Sequence, residues 1–231
     1  MKTFPTSAVD SPPTRLREKI AQLLMVRLGS NLPPVRTVEE DEDRIARLLA
    51  ECPVGGLVLF NGGSKTEISL ARLQAMSAKP LLIASDIERG VGQQVVGRPL
   101  VPHAMAFEKV GDEAAAMVAE FARLVAAEAR DMGINVTFFP LADVNTNPRN
   151  PIVATRAFSE KVDRAIELIR AYVTASEAVG MPTTAKHFPG HGSTNKDSHD
   201  SLPIADRSLQ DLESVELPPF QAAIDAGCSL I

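Results

Sequence analysis

The chain has 231 residues, long enough to bury a substantial core, with 45% hydrophobic and 23% charged residues as in ordinary globular proteins. A net charge of −5 without any basic block argues against nucleic acid and anionic membrane as partners. No apolar run reaches the ~20 residues of a membrane span, the N-terminal segment lacks the apolar core of a signal peptide, and Cys52 and Cys228 are far apart without CxxC spacing. The expectation is a cytoplasmic protein with two buried thiols.

Residues 1–12, with two prolines and little to bury, read as a loose leader. Pro13 or Thr14 opens a helical pattern carried by Leu16, Ile20, Leu23 and Leu24. Met25 to Leu28 is a short strand ending at Gly29, and Glu39 to Glu51 is a charged helix with Ile45, Leu48 and Leu49 on one face. The glycine-bounded apolar run Gly55 to Phe60 has the character of a strand buried on both sides. A helix from Thr66 to Ala78 follows, and then a third strand, Leu81 to Ala84. Asp86 and Glu88 come directly after that strand, where a barrel delivers side chains to its mouth, although Asp86 capping a turn would also fit.

A long alanine-rich helix, Glu113 to Met132, stops at Gly133 as its C-terminal cap. Asn135 to Phe139 is the fourth strand, and the polar, proline-pinned loop from Leu141 to Pro151 is either a substrate-facing wall or a set of Asx turns. Arg156 is a capping residue or a bidentate clamp, and a helix from Glu160 to Val179 follows it. Met181 to Ala185 is the fifth strand. Leu209 to Glu213 and Pro218 to Ala226 are short helices, and Gly227 to Ile231 begins a sixth strand.

The most informative stretch is the loop after the fifth strand, Thr184 to His199. It holds three of the four histidines, two lysines and an aspartate, with Gly190, Gly192 and Pro189 shaping its backbone. Asp197 and His199 are two apart, so the carboxylate can hold one ring nitrogen and leave the other for substrate. That arrangement suits proton transfer near neutral pH.

Six strands alternating with helices imply a parallel sheet, either doubly wound or a barrel. No phosphate-binding glycine loop follows the first strand, which favours the barrel. The expected class is therefore α/β of the (β/α)8 TIM-barrel type, with about the first six strand–helix units present.

Lys186-His-Phe-Pro-Gly-His-Gly192 with Asp197-Ser-His199 closely resembles the signature of glycoside hydrolase family 3, in its bacterial β-N-acetylglucosaminidase branch. Ile20 to Met25, Val54 to Phe60, Asp86-Ile-Glu88, Asn135 to Asp143 and Arg156-Ala-Phe158 fall in the family's order, so the resemblance covers about residues 16–231. It implies a (β/α)8 barrel that removes terminal β-linked N-acetylglucosamine with retention, as from muropeptides in peptidoglycan recycling or from chitin-type glycans. By the same resemblance, Asp86, Arg156, Lys186 and His187 bind the sugar and His199, paired with Asp197, is the general acid/base. The domain expected is residues 13–231 as the N-terminal part of such a barrel, with the nucleophilic aspartate beyond Ile231.

One further departure concerns the sugar site. Gln94 stands where the family usually places a sugar-clamping arginine. No metal, cofactor, nucleic acid or membrane is implied as a partner, only a small carbohydrate substrate, and the oligomeric state is open. Two other readings compete. In one, His187, His191, Asp197 and His199 bind a divalent cation in a metal-dependent hydrolase. In the other, a catalytically incomplete barrel binds sugar without cleaving it.

Overall fold

Four short parallel strands, β1 (Met25–Leu28), β2 (Gly56–Leu59), β3 (Leu82–Ser85) and β4 (Val136–Thr137), pair in the order of the sequence. The computed structural model describes residues 16–197, 199–205 and 207–231. The expected leader and the first residues of the first expected helix lie outside them. Helix α1 (Leu16–Ala21) precedes them, and α2 (Val38–Glu51), α3 (Thr66–Met76), α4 (Met105–Glu108), α5 (Ala114–Met132), α6 (Val162–Ala178), α7 (Leu209–Asp211) and α8 (Leu217–Asp225) intervene or follow.

Local chemistry explains most of the boundaries. Thr37 and Glu40 form a reciprocal capping box that starts α2, and the buried face of that helix presents Val38, Ile45 and Leu49 to the core. Gly133 adopts φ 91° and ends α5 as expected. Helices α5 and α6 enclose an aromatic cluster in which Phe139 meets Tyr172 edge-on, with ring centroids 4.7 Å apart.

The expected strands four, five and six are shorter than the sequence suggests. Asn135 spends its side chain on the backbone of β3, accepting from Ile83 N–H and donating to the Leu81 carbonyl, so β4 begins one residue later. Pro140 and Pro182 remove donors from the ladder on either side. What remains are single parallel bridges, Thr137 with Thr183, Leu141 with Lys186 and Thr184 with Leu230. These bridges carry the sheet order past β4 into the fifth and sixth segments. Glu177, near the end of α6, holds the three together: its carboxylate accepts from the Thr183 amide and hydroxyl and from the Ser229 amide and hydroxyl, at 2.6–3.0 Å.

Two further expectations need correction. The helices expected at 209–213 and 218–226 are joined by a π-helical turn, Leu212–Glu216, and Pro218 stands at the start of α8. Cys52 and Cys228 are free but half-buried rather than buried, because Cys52 caps the end of α2 and Cys228 sits beside Thr183 near the sheet's last bridge.

Candidate active site

The chemistry-bearing side chains collect where the parallel strands end. Asp86 and Glu88 follow β3, Asp143 follows β4, and Lys186 and His187 follow the Thr183–Ala185 segment. Converging loops at this end of a parallel sheet are what place residues distant in sequence side by side.

Glu88 is the hub. Its carboxylate is 5% exposed and accepts two bonds from Arg156, Nε to Oε2 at 3.0 Å and Nη2 to Oε1 at 2.8 Å. Lys186 Nζ lies 2.7 Å from the same Oε1 and 2.5 Å from Asp86 Oδ1. Burial alone would raise the Glu88 carboxyl, but the Arg156 hydrogen bonds and the Lys186 charge outweigh it, leaving the group at about 2. Two carboxylates and two cations therefore neutralise one another in one cluster, with Lys186 shared between the acids. Arg156 is thus the bidentate clamp of the two roles open to it, and the carboxylate it clamps is Glu88.

Beside this cluster Asp143 is fully buried and serves the loop above it. One oxygen accepts from the His187 amide and lies 2.7 Å from His187 Nδ1, and the other accepts from the His191 amide at 2.7 Å. His191 is in turn packed against Thr194, whose hydroxyl lies 2.8 Å from Nδ1, while Asn150 donates to the His191 carbonyl. Burial and the neighbouring His187 disfavour protonation of His191, and despite the pull of Asp143 its pKa falls below the usual histidine value. Gly192 is required by a close approach: a Cβ there would stand 1.8 Å from the Val144 carbonyl oxygen.

The Asp197–His199 pair forms as expected. His199 Nδ1 and its amide both reach Asp197 Oδ1, at 2.7 and 2.9 Å, with the ring 78% exposed. Hydrogen bonds from His199 hold the Asp197 carboxyl below its ordinary range. Among the described residues no hydrogen bond or ion pair links this pair to Asp86, Arg156, Lys186 or His187. Gln94 is buried and braces two strand-end loops, donating to the Asp86 carbonyl and accepting from Asn31.

Sequence reasoning placed Glu88 at this mouth without giving it a role, and it missed Asp143 as a site residue. The available signal for Asp143 was a single acid between apolar neighbours, Leu141-Ala-Asp-Val144, which only a buried hydrogen-bonding role would tolerate. Among the described residues no three His, Cys, Asp or Glu side chains converge as a metal site would require.

A parallel α/β sheet with a charged cluster of this kind at its strand ends is the architecture of a barrel-type enzyme domain. The chain belongs to glycosyl hydrolase family 3: the family's N-terminal domain matches residues 15–231. The fold is accordingly the TIM-barrel-like α/β type. A β-hexosaminidase of Xylella fastidiosa (strain M23) is 35% identical over 192 residues, covering 79% of this chain and 57% of that protein. The chain thus spans little more than half the length of that relative. The solved structure of a glycoside hydrolase family 3 β-N-acetylglucosaminidase from Paenibacillus sp. str. FPU-7 superposes with a TM-score of 0.83 at 33% identity, covering 93% of this chain and 41% of that one. A β-glucoside phosphorylase, BglX, superposes with a TM-score of 0.81 at 25% identity, covering 94% and 37%.

Proposed function

We propose that residues 13–231 are the N-terminal part of the barrel of a retaining, exo-acting β-N-acetylhexosaminidase. Asp86, Arg156, Lys186 and His187 bind one terminal N-acetylglucosamine, as in muropeptide or chitin-type glycans. His199 works with Asp197 as general acid/base, and the attacking carboxylate is an aspartate outside these residues. Two free cysteines support a cytoplasmic setting, where thiols stay reduced.

The observation that carries this reading is the Asp197–His199 pair. A carboxylate on Nδ1 fixes the tautomer and leaves Nε2 as the nitrogen open to an incoming group, on a ring that solvent and substrate can reach. The cluster of Asp86, Glu88, Arg156 and Lys186 supplies charge-assisted donors and acceptors for hydroxyls, with Asp86 as its more exposed acid. The test is hydrolysis of an aryl β-N-acetylglucosaminide by the protein that contains this domain, with the anomer of the first product read by NMR. Inversion, or turnover unchanged in Asp86→Ala, would refute it.

The likeness to a phosphorylase favours a second reading in one respect, the acceptor. If phosphate takes the glycosyl group, the same assay in phosphate buffer yields a sugar 1-phosphate instead of the free sugar.

A further inference from the structure

Glu216 is a buried acid that the proposed reaction leaves without a role. It closes the π-helical turn between α7 and α8 and is 2% exposed, yet neither carboxyl oxygen has a hydrogen-bond partner. π-helical turns recur at functional sites. Against it lies the site loop. A Cβ on Gly190, which adopts φ 133°, would stand 2.4 Å from Glu216 Oε2 and 2.8 Å from Glu216 Cβ, so the acid fills the space a side chain would need. Two more polar atoms of the same loop, Ser193 Oγ and His191 Nε2, are also buried without partners. Buried polar atoms without a well-formed hydrogen bond on both sides of one contact call for an explanation, and Ser193 is the loop group within reach of the acid.

We propose that Glu216 is a positioning residue for the site: its carboxyl seats the Gly190–Ser193 turn, and through that turn fixes where His187 and His191 stand over Asp143. The role in catalysis, though not the seat itself, rests on the glycosidase reading. Ser193 is the polar group facing the carboxyl, and Arg207 ahead of α7 and Asp143 beneath the loop are the charged ones. Burial opposes ionisation most, Asp143 adds to it, and Ser193 and Arg207 only partly offset it, so the carboxyl is held above the usual range. As an acid it can donate to Ser193 as well as accept. As a carboxylate it can only accept, and it adds a negative charge near Asp143.

The sign follows from the raised value. The stabilising contribution is complete below the ordinary Glu range and is lost as pH rises through the shifted one. Glu216→Gln keeps the donor and the shape without the charge. It is expected to melt level with wild type at pH 4 and about 2–4 °C higher at pH 8. In NMR spectra, Glu216→Ala is expected to move the His187 and His191 ring signals but not those of His103, with Gln restoring them. Should the Ala variant not fold, a pH-linked shift of the His191 signal that Glu216→Gln abolishes gives the same evidence. Melting curves that stay parallel from pH 4 to 8, or His191 signals blind to residue 216, overturn the proposal. Neither readout uses a substrate, so a failed glycosidase assay leaves them standing and their failure leaves the glycosidase reading intact.

Discussion

Asp143 and His187 are joined twice: the fully buried carboxylate accepts the histidine's amide at 3.2 Å and lies 2.7 Å from its ring Nδ1. One acid thus sets both the backbone path and the ring orientation of a site histidine, and its second oxygen does the same for the His191 amide. Ring Nε2 of His187 is the nitrogen that Asp143 leaves unbonded.

Removing that acid therefore strands the donors it holds. Asp143→Ala leaves two backbone N–H groups and a ring N–H unpaired, each costing about 1–3 kcal/mol. A loss of about 3 kcal/mol or more is expected in urea unfolding, with Asn, which keeps one accepting oxygen, falling between. A loss below about 1 kcal/mol in the alanine variant would mean that the loop is held elsewhere.

The Glu88 cluster predicts an acid-side dependence of opposite sign to that of Glu216. Glu88 sits near 2, below its usual 4.5, so its contribution is present above pH ~4.5 and fades as pH falls toward 2. Glu88→Gln should be clearly less stable than wild type at pH 7, and the gap should narrow through that window. Unfolding free energies at pH 7, 4 and 2.5 check this. A gap that does not change with pH would mean that the ion pairs with Arg156 and Lys186 leave its ionisation untouched.

Glu177 is a staple far from this chemistry. Its carboxylate gathers Thr183 and Ser229, so Glu177→Ala should free the exposed Ser229 and the Leu230 backbone as well as cost about 1–3 kcal/mol for the stranded groups of buried Thr183. Hydrogen exchange is the sensitive measure. The Leu230 amide, bonded to the Thr183 carbonyl, should exchange at least tenfold faster in the variant while β1–β2 amides stay protected.

How much of this was written in the sequence depends on the range of the interaction. The parallel α/β order, the α2 and α5 boundaries and the Asp197–His199 pair were legible because caps, glycine stops and a two-residue spacing are local signals. Asp86, Arg156, Lys186 and His187 were nameable from motif likeness. Their partners were not, since Lys186 meets Asp86 across 100 residues and Arg156 meets Glu88 across 68. The later start of the fourth strand was hidden for the same reason: the Asn135 side chain reaches back to the third strand's backbone, which no periodicity reveals. Glu216 falls between the two short helices expected there and carried no signal of its own, and only the π-helical turn puts it inside.

The proposed acid/base gives the sharpest kinetic expectation. A histidine titrates near neutrality without a large environmental push, so one ring can protonate the leaving oxygen and later take a proton from water. With Asp197 on Nδ1, Nε2 of this exposed ring is the proposed proton carrier. In an active enzyme containing this domain, His199→Ala should slow substrates with poor leaving groups by roughly 10²–10⁴-fold, the usual worth of a general acid. It should do far less harm to glycosylation by an activated phenol, which departs without protonation. Azide should then restore part of the turnover, because an anionic nucleophile needs no base to resolve a glycosyl-enzyme. His191 offers the control: it is buried, its Nδ1 is taken by Thr194, and its replacement should show no dependence on the leaving group. Equal slowing of all leaving groups in His199→Ala, with no rescue by azide, would assign His199 a structural role and transfer the acid/base to another residue.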